Sequence, residues 1–158
     1  MTGRMVVGRS RGSAETGRLV VGLGARSGTA APVLAAAIRT ALAEAGLSPG
    51  DAGVLATLDR RAGEEGVRLV AASLGWRLVS LTAAELAAQP VPHGSESVAA
   101  AVGTPGVAEA AALVAAGPGA RLILPKRVVG GVTVAVARAD EGFPLRHRRG
   151  VGPDTWRP

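Results

Sequence analysis

Short apolar runs alternate with alanine-rich stretches along the first half of this chain, and this alternation limits the folds open to it. The run LVVGLGA (19–25) predicts a strand, and the stretch from Ala30 to Ala45, which a glycine follows, predicts a helix. A strand at 54–58, a helix from Glu64 to Leu74 and a strand at 76–80 continue the pattern. This βαβαβ order indicates an α/β protein.

The second half of the chain predicts three more helices and two more strands. The helices are expected at 83–88, after the capping box of Thr82 and Glu85, at 95–102, and from Pro105 to about Ala116; the strands are expected at 120–124 and 132–137. The last two strands are expected to pair through the loop PKRVVGG (125–131). We therefore predict a three-layer α/β/α sandwich with a mostly parallel or mixed sheet of about five strands.

One domain is expected, because 158 residues with 47% hydrophobic content suffice for one well-buried core. Residues 18–139 should form this domain, and residues 1–17 and 140–158, rich in Gly, Arg, Ser and Pro, should be flexible tails. No apolar run in the sequence reaches the roughly 18 residues of a membrane span. A cytoplasmic protein without membrane contact is expected.

The net charge of +6 raises the question of nucleic-acid binding. Residues 18–139 carry 11 basic and 8 acidic side chains, so only half of the net charge belongs to the expected domain. A basic stripe with interleaved aromatic residues is missing, and no nucleic-acid partner is expected. The sequence has no cysteine, which excludes disulfides, thiolate nucleophiles and cysteine-based metal sites.

The motif GLGARSGT (22–29) forms a glycine-rich turn between a predicted strand and a predicted helix. Its glycines stand at relative positions 1, 3 and 7, whereas a dinucleotide fingerprint needs 1, 3 and 6. A P-loop would need a lysine after the last glycine, where Thr29 stands. The turn is either an anion site with Arg26 as a side-chain clamp or simply a tight turn that requires glycine conformations.

The motif TLDRRAGEEG (57–66) follows the second predicted strand. Ligands of open α/β sheets lie beyond the carboxyl ends of strands, so this loop is expected beside Arg26 and Ser27. Asp59 and Arg61 are its candidate functional residues. Glu64 and Glu65 are expected to complement the dipole of the following helix.

Two further motifs contain candidate site residues. PHGSES (92–97) brings His93, Ser95 and Glu96 together in a polar loop, where a lone histidine is also compatible with a simple solvated residue. Lys126, the only lysine of the sequence, is expected directly after a strand and Pro125, at a place where arginine would not serve. No histidine or carboxylate cluster has metal-ligand spacing, so no metal site is expected.

Four segments together resemble one family, the CobE proteins and the C-terminal domain of the CbiG hydrolase. They are GLGARSGT, TLDRRAGEEG, VPHGSESVAAAVGTPGVAEAAAL (91–113) and LPKRVVGGVTVAVAR (124–138). Their order and spacing fit the family over about residues 19–138. Ala25 stands where the family frequently has cysteine, which indicates that no thiol chemistry is required.

The resemblance implies a role in cobalamin biosynthesis. The complete CbiG form opens a ring-A lactone of cobalt-precorrin-5A and releases acetaldehyde, and the CobE form corresponds to its C-terminal part alone. This chain leaves no room for the N-terminal region of CbiG, so the stand-alone CobE form is expected. The implied partners are a precorrin or other corrinoid ligand and other enzymes of the cobalamin pathway, with no cofactor.

Acetate and propionate carboxylates surround a precorrin, and they would suit Arg26, Arg61 and Lys126 around one rim. The candidate substrate-binding residues are Gly24, Arg26, Ser27, Gly28, Thr29, Arg61, His93 and Ser95. If the protein hydrolyses a lactone, Asp59, Glu96 or His93 would activate water, and Lys126 or Arg26 would stabilise the oxyanion. Three hypotheses follow: a precorrin hydrolase, a non-catalytic carrier of a corrin intermediate, and a nucleotide-binding protein.

Overall fold

The computed structural model describes residues 19–91 and 106–140. The predictions for His93, Ser95 and Glu96, for a helix at 95–102 and for tails at 1–17 and beyond Asp140 lie outside these residues. Within them the chain forms five strands and five helices of varying length, with one 3-10 turn. In chain order these are β1 (Leu19–Gly24), α1 (Ala31–Glu44), the 3-10 turn (Pro49–Asp51), β2 (Ala52–Leu58), α2 (Asp59–Ala62), α3 (Glu65–Leu74), β3 (Arg77–Leu81), α4 (Ala83–Ala87), α5 (Gly106–Ala116), β4 (Arg121–Val129) and β5 (Val132–Arg138).

The strands form a single mixed sheet in the order β3-β2-β1-β5-β4. Strands β1, β2 and β3 are parallel to one another, as the βαβαβ pattern predicts. Strand β5 is antiparallel to both of its neighbours, β1 and β4. The predicted five-stranded mixed sheet is confirmed.

Helices cover both faces of the sheet, which confirms the three layers. Alternate residues of β1 point to opposite faces, because side chains alternate along a strand. Leu19, Val21 and Leu23 join the cluster that contains core residues of α1 and α3. Val20 joins the cluster that contains core residues of α4 and α5.

Helix α5 lies very close to the central strand β1. A Cβ atom built on Gly22 would overlap the carbonyl oxygen of Ala108 and come 2.8 Å from the amide nitrogen of Ala112. Only glycine at position 22 allows the backbones to approach in this way. The first glycine of the turn motif therefore serves helix-to-sheet packing.

The prediction that residues 125–131 form a loop is wrong. Strand β4 continues to Val129, and the turn consists of Gly130 and Gly131, with φ of 57° and 82°. Positive φ at both central residues is the geometry of a tight two-residue hairpin. Pro125 interrupts the local strand pattern, but β4 is an edge strand and tolerates a residue without an N–H group. Lys126 consequently lies inside β4.

Candidate functional site

The carboxyl ends of β1 and β2 bring two polar corners together at one edge of the sheet. The first corner is the turn 25–30, which leads into α1, and the second is the segment 59–64, which leads through α2 into α3. The ladder between the strands ends at the pair Gly22 and Ala56. Just beyond it, the buried hydroxyl of Thr57 donates to the carbonyl oxygen of Leu23 at 2.7 Å and continues the connection.

The side chain of Glu64 connects the second corner to the first. One carboxylate oxygen accepts from the backbone N–H of Gly28 and the other accepts from the hydroxyl of Ser27, each at 3.0 Å. The predicted proximity of the two motifs is confirmed. Glu64 is the N-cap residue of α3, yet its side chain caps no amide of that helix. Besides its place at the start of α3, Glu64 makes a contact with residues 36 and 37 positions earlier, which the sequence pattern did not predict.

Arg61 also stabilises this junction, the place where the turn 25–30 meets the segment 59–64. Its Nε donates to the carbonyl oxygen of Ala25 at 2.9 Å, and its Nη1 donates to Glu64 at 3.0 Å. The two side chains are only 18% and 22% exposed, so this ion pair is shielded more than an ordinary surface pair. The guanidinium thus contacts both the turn and the carboxylate that holds the turn.

These contacts favour the ionised form of Glu64. The N–H of Gly28, the hydroxyl of Ser27 and the positive charge of Arg61 lower the pKa of the Glu64 carboxyl, while partial burial opposes them. The hydrogen bond from Gly28 is the largest of these effects. An internal carboxylate therefore occupies the N–H of Gly28 and the hydroxyl of Ser27, two donors that the glycine-rich turn could otherwise offer to an external anion.

The other residues of the turn have different environments. Gly28 has a φ of 81°, which favours glycine, and Thr29 donates its hydroxyl to the carbonyl oxygen of Arg26 at 2.7 Å. Gly24 is buried and pairs with Thr133 of β5. The side chain of Arg26 is exposed. Arg26 is thus the predicted binding residue of this turn that presents a charge to solvent.

An open groove of about 610 Å³ lies beside the junction, within the usual size of small-molecule sites. Residues of the turn and of the start of α3 line it, including Pro32 and Leu69. Glu64 and Glu65 also line it. Because both carry carboxyl groups, this groove is an unfavourable place for the carboxylate of a ligand.

The predicted catalytic residues in the described part of the chain lie on different elements. Asp59 is exposed at the first residue of α2. Lys126 is half-buried in β4, where Pro125 and Lys126 together oppose one residue of β5. The backbone N–H of Lys126 donates to Oε2 of Glu109 on α5 at 3.0 Å.

Sequence reasoning missed three residues with structural roles at these places. Thr57 and the long-range contact of Glu64 have no local sequence pattern that would reveal them. Glu109 had one: it is the only charged residue in the otherwise apolar helix GVAEAAALVAA, and it is completely buried. A single carboxyl group in an apolar helix indicates a specific polar contact.

Among residues 19–91 and 106–140, no three His, Asp or Glu side chains gather as metal ligands would. None of the helices in the same ranges combines the length and hydropathy needed to cross a bilayer.

Comparisons with known proteins agree on one family. Residues 19–137 match a family model described as cobalamin synthesis G C-terminus. The chain is 41% identical over 121 residues to a protein CobE from Sinorhizobium sp., with 75% of this chain and 79% of that protein covered. It is 34% identical over 119 residues to a cobalt-precorrin-5A hydrolase from Priestia megaterium, of which it spans 32%.

The fold has the same relatives. The crystal structure of the cobalamin biosynthesis protein chiG from Agrobacterium tumefaciens superposes with a TM-score of 0.63 at 38% sequence identity. The superposition covers 78% of this chain and 99% of that one.

Proposed function

The chain belongs to the cobalamin synthesis G C-terminus family, and because this family functions in cobalamin biosynthesis, we propose that the chain binds a precorrin or related corrinoid intermediate through basic side chains. The proposed site lies at the edge of the sheet where β1 and β2 end. Arg26 is its main contact with the carboxylates of the ligand.

The observation that carries this proposal is the occupation of the glycine-rich turn by Glu64. A nucleotide site of this type needs free backbone donors for phosphate, but the N–H of Gly28 is already bonded to a carboxylate. Recognition of an anion must then depend on side-chain cations that point to solvent. The exposed Arg26 and Arg60 meet this requirement, and they suit the separated carboxylates of a macrocycle better than one compact phosphate.

Glu64 and Arg61 have a supporting role in this proposal. They hold the backbone of the turn on both sides of Arg26, and the turn determines the position from which the Arg26 side chain extends. Arg61 was expected to bind ligand directly, and its bonds to Ala25 and Glu64 are compatible with binding through its remaining N–H groups.

A catalytic role is proposed by relation to the cobalt-precorrin-5A hydrolase, of which this chain spans about a third. In lactone hydrolysis, water adds to the carbonyl carbon while a base takes a proton from it, and the ring C–O bond breaks as the departing oxygen takes up a proton, which leaves a carboxylate and a hydroxyl group. Release of acetaldehyde then requires cleavage of a C–C bond next to that hydroxyl carbon, as its O–H proton is removed and the other carbon is protonated. Asp59, Glu96 or His93 is the proposed base, and Lys126 or Arg26 would stabilise the oxyanion. Of the other predicted binding residues, Gly24 is buried, Ser27 and Gly28 are bonded to Glu64, and Thr29 is bonded to Arg26, so in this proposal they shape the turn that carries Arg26. Ser95 is a further proposed contact.

The test is a titration of the purified protein with cobalt-precorrin-5A and with a cobalt-free precorrin, followed by visible absorption. We expect Arg26→Ala to weaken binding about three- to tenfold, and more strongly at low salt, because one exposed charge contact is lost. Arg39→Ala is the matched control, since Arg39 is an equally exposed arginine on α1. It should leave the affinity within about twofold of the unchanged protein.

Equal weakening by both substitutions would indicate general attraction to positive charge and would contradict a site at the turn. Release of acetaldehyde during the titration would establish hydrolysis, whereas binding without product would establish a carrier. If neither precorrin changes the spectrum, the proposed ligand class is wrong.

A further inference from the structure

Glu109 is a buried carboxyl group that the proposed chemistry does not use. It is fully buried in α5, among residues that are otherwise small or apolar. Moving a carboxyl group out of water costs several kcal/mol unless good hydrogen bonds replace the lost hydration. Hydrogen bonds of the buried carboxyl group must therefore offset this cost, and one of them is the bond from the backbone N–H of Lys126.

The bond lies at an irregular part of β4. Leu124 pairs with Val136 and Arg127 pairs with Val134, so two residues of β4 oppose the single residue Ala135. This is a β-bulge, a feature that redirects a side chain and often lies beside a functional site. Pro125 has no N–H group, and the N–H of Lys126 bonds to the side chain of Glu109.

The helix that carries Glu109 is itself held in a fixed place. Ala108, the preceding residue, lies against Gly22 so closely that no side chain fits between the two backbones. Ala135, which the bulge opposes, pairs with the same Gly22. The bulge therefore lies level with Gly22, just before the carboxyl end of β1, where the proposed ligand site begins.

We propose that Glu109 is a positioning residue for Lys126. Its carboxyl oxygen holds the backbone of the bulge against α5 and so determines where the only lysine of the chain presents its ammonium group. The inference rests on the proposed function, because it assigns Lys126 to the ligand. Glutamine keeps a side-chain oxygen that can accept the N–H of Lys126, so glutamine should replace Glu109 in this role.

The experiment compares Glu109→Gln with Glu109→Leu. Both side chains fill a similar space, but only glutamine retains an oxygen that accepts from the N–H of Lys126. Glu109→Ala is a second variant without an acceptor, and Val107→Ala is the matched control, because Val107 is buried in the same helix and has no polar contact with β4. Each variant is titrated with cobalt-precorrin-5A, alone and combined with Lys126→Ala.

We expect Lys126→Ala to weaken binding about tenfold, the effect of one charge-assisted hydrogen bond. Glu109→Leu should weaken it to a similar extent, and adding it to Lys126→Ala should change the affinity less than about twofold. Glu109→Gln and Val107→Ala should bind within about threefold of the unchanged protein. Additive losses in the double variant, or equal weakening by Val107→Ala, would overturn the inference.

A measurement without ligand separates this inference from the proposed function. Reductive methylation with labelled formaldehyde places NMR-visible methyl groups on the ammonium of Lys126, the sole lysine. Their signal should move in Glu109→Leu and remain in place in Glu109→Gln and Val107→Ala. An unmoved signal in Glu109→Leu overturns the positioning role, whereas a moved signal with unchanged affinity in Lys126→Ala overturns only the assignment of Lys126 to the ligand.

Discussion

Two glutamates of this protein make the same type of bond in opposite environments. Glu64 accepts the N–H of Gly28 at 3.0 Å, and Glu109 accepts the N–H of Lys126 at 3.0 Å. Glu64 is about a fifth exposed and is paired with Arg61, whereas Glu109 is fully buried inside an apolar helix. The two hydrogen bonds therefore have equal lengths, but the desolvation of the Glu109 carboxyl group costs much more free energy than that of Glu64.

The comparison shows that burial, and not bond length, sets the importance of such a contact. Water can partly replace the partners of Glu64 when that side chain is removed, because the junction lies near the surface. Glu109 is fully buried in α5, so its removal leaves a space in the core and takes the acceptor away from the partly buried N–H of Lys126. Variants of Glu109, Arg61 and Glu64 test this difference and are described from the largest expected effect to the smallest.

The largest effect is expected for Glu109→Ala. It should lower the free energy of unfolding by about 3 kcal/mol, because it creates a cavity in α5 and removes the acceptor of the Lys126 N–H. Urea unfolding followed by circular dichroism measures this quantity. Glu64→Ala in the same assay should cost about 1 kcal/mol. Equal losses in the two variants would contradict the role assigned to burial.

Arg61→Ala should have an intermediate effect, with a loss of about 2 kcal/mol. The variant removes the bonds to Ala25 and to Glu64, and it leaves the carboxylate without its positive partner. Arg60→Ala is the control, since Arg60 is the exposed neighbour on α2, and it should change the stability by less than about 0.5 kcal/mol. Similar losses for the two arginines would show that the junction contributes nothing specific.

Glu64→Gln should have the smallest effect, about 0.5 kcal/mol at pH 7, because glutamine keeps one acceptor, and this effect should depend on pH. The folded protein lowers the pKa of Glu64 below the ordinary 4.5, so the ionised carboxylate stabilises the fold above that pH. The contribution is lost as the pH falls through the pKa of the folded state. Unfolding curves between pH 7 and pH 3 should therefore converge for Glu64→Gln and the unchanged protein.

The exposed Glu65, which follows Glu64 in the first turn of α3, provides the control for that experiment. Glu65→Gln alters the charge near the same helix end but breaks no contact with the glycine-rich turn. A loss as large as that of Glu64→Gln would mean that the helix dipole, and not the bond to Gly28, explains the stabilisation.

The parallel half of the fold could be predicted from the sequence because its information is local. Each strand is a short apolar run, and a glycine with positive φ marks a helix end, as Gly75 does for α3 with a φ of 75°. The capping box of Thr82 and Glu85 also forms as expected, with the N–H of Glu85 bonded to the Thr82 hydroxyl at 3.0 Å. Nothing distant along the chain was needed for these predictions.

The parts that could not be predicted depend on distant partners. Pro125 obscured strand β4, because the sequence does not show that α5 supplies an acceptor at the bulge. Glu64 was assigned to its own helix, since its partners at Ser27 and Gly28 become neighbours only after β1 and β2 pair. The binding roles of Arg26 and Lys126 remain predictions that the titrations test, and the catalytic role of Asp59 remains a prediction.

The bulge in β4 also affects how the molecule avoids association with other copies. An edge strand offers unpaired N–H and C=O groups to which a strand from another molecule can add. In β4, Pro125 has no donor and Lys126 directs its donor to Glu109, so two consecutive residues offer no amide hydrogen to an incoming strand. The contact proposed to position a lysine thereby also reduces the number of amide donors that this edge offers for strand addition.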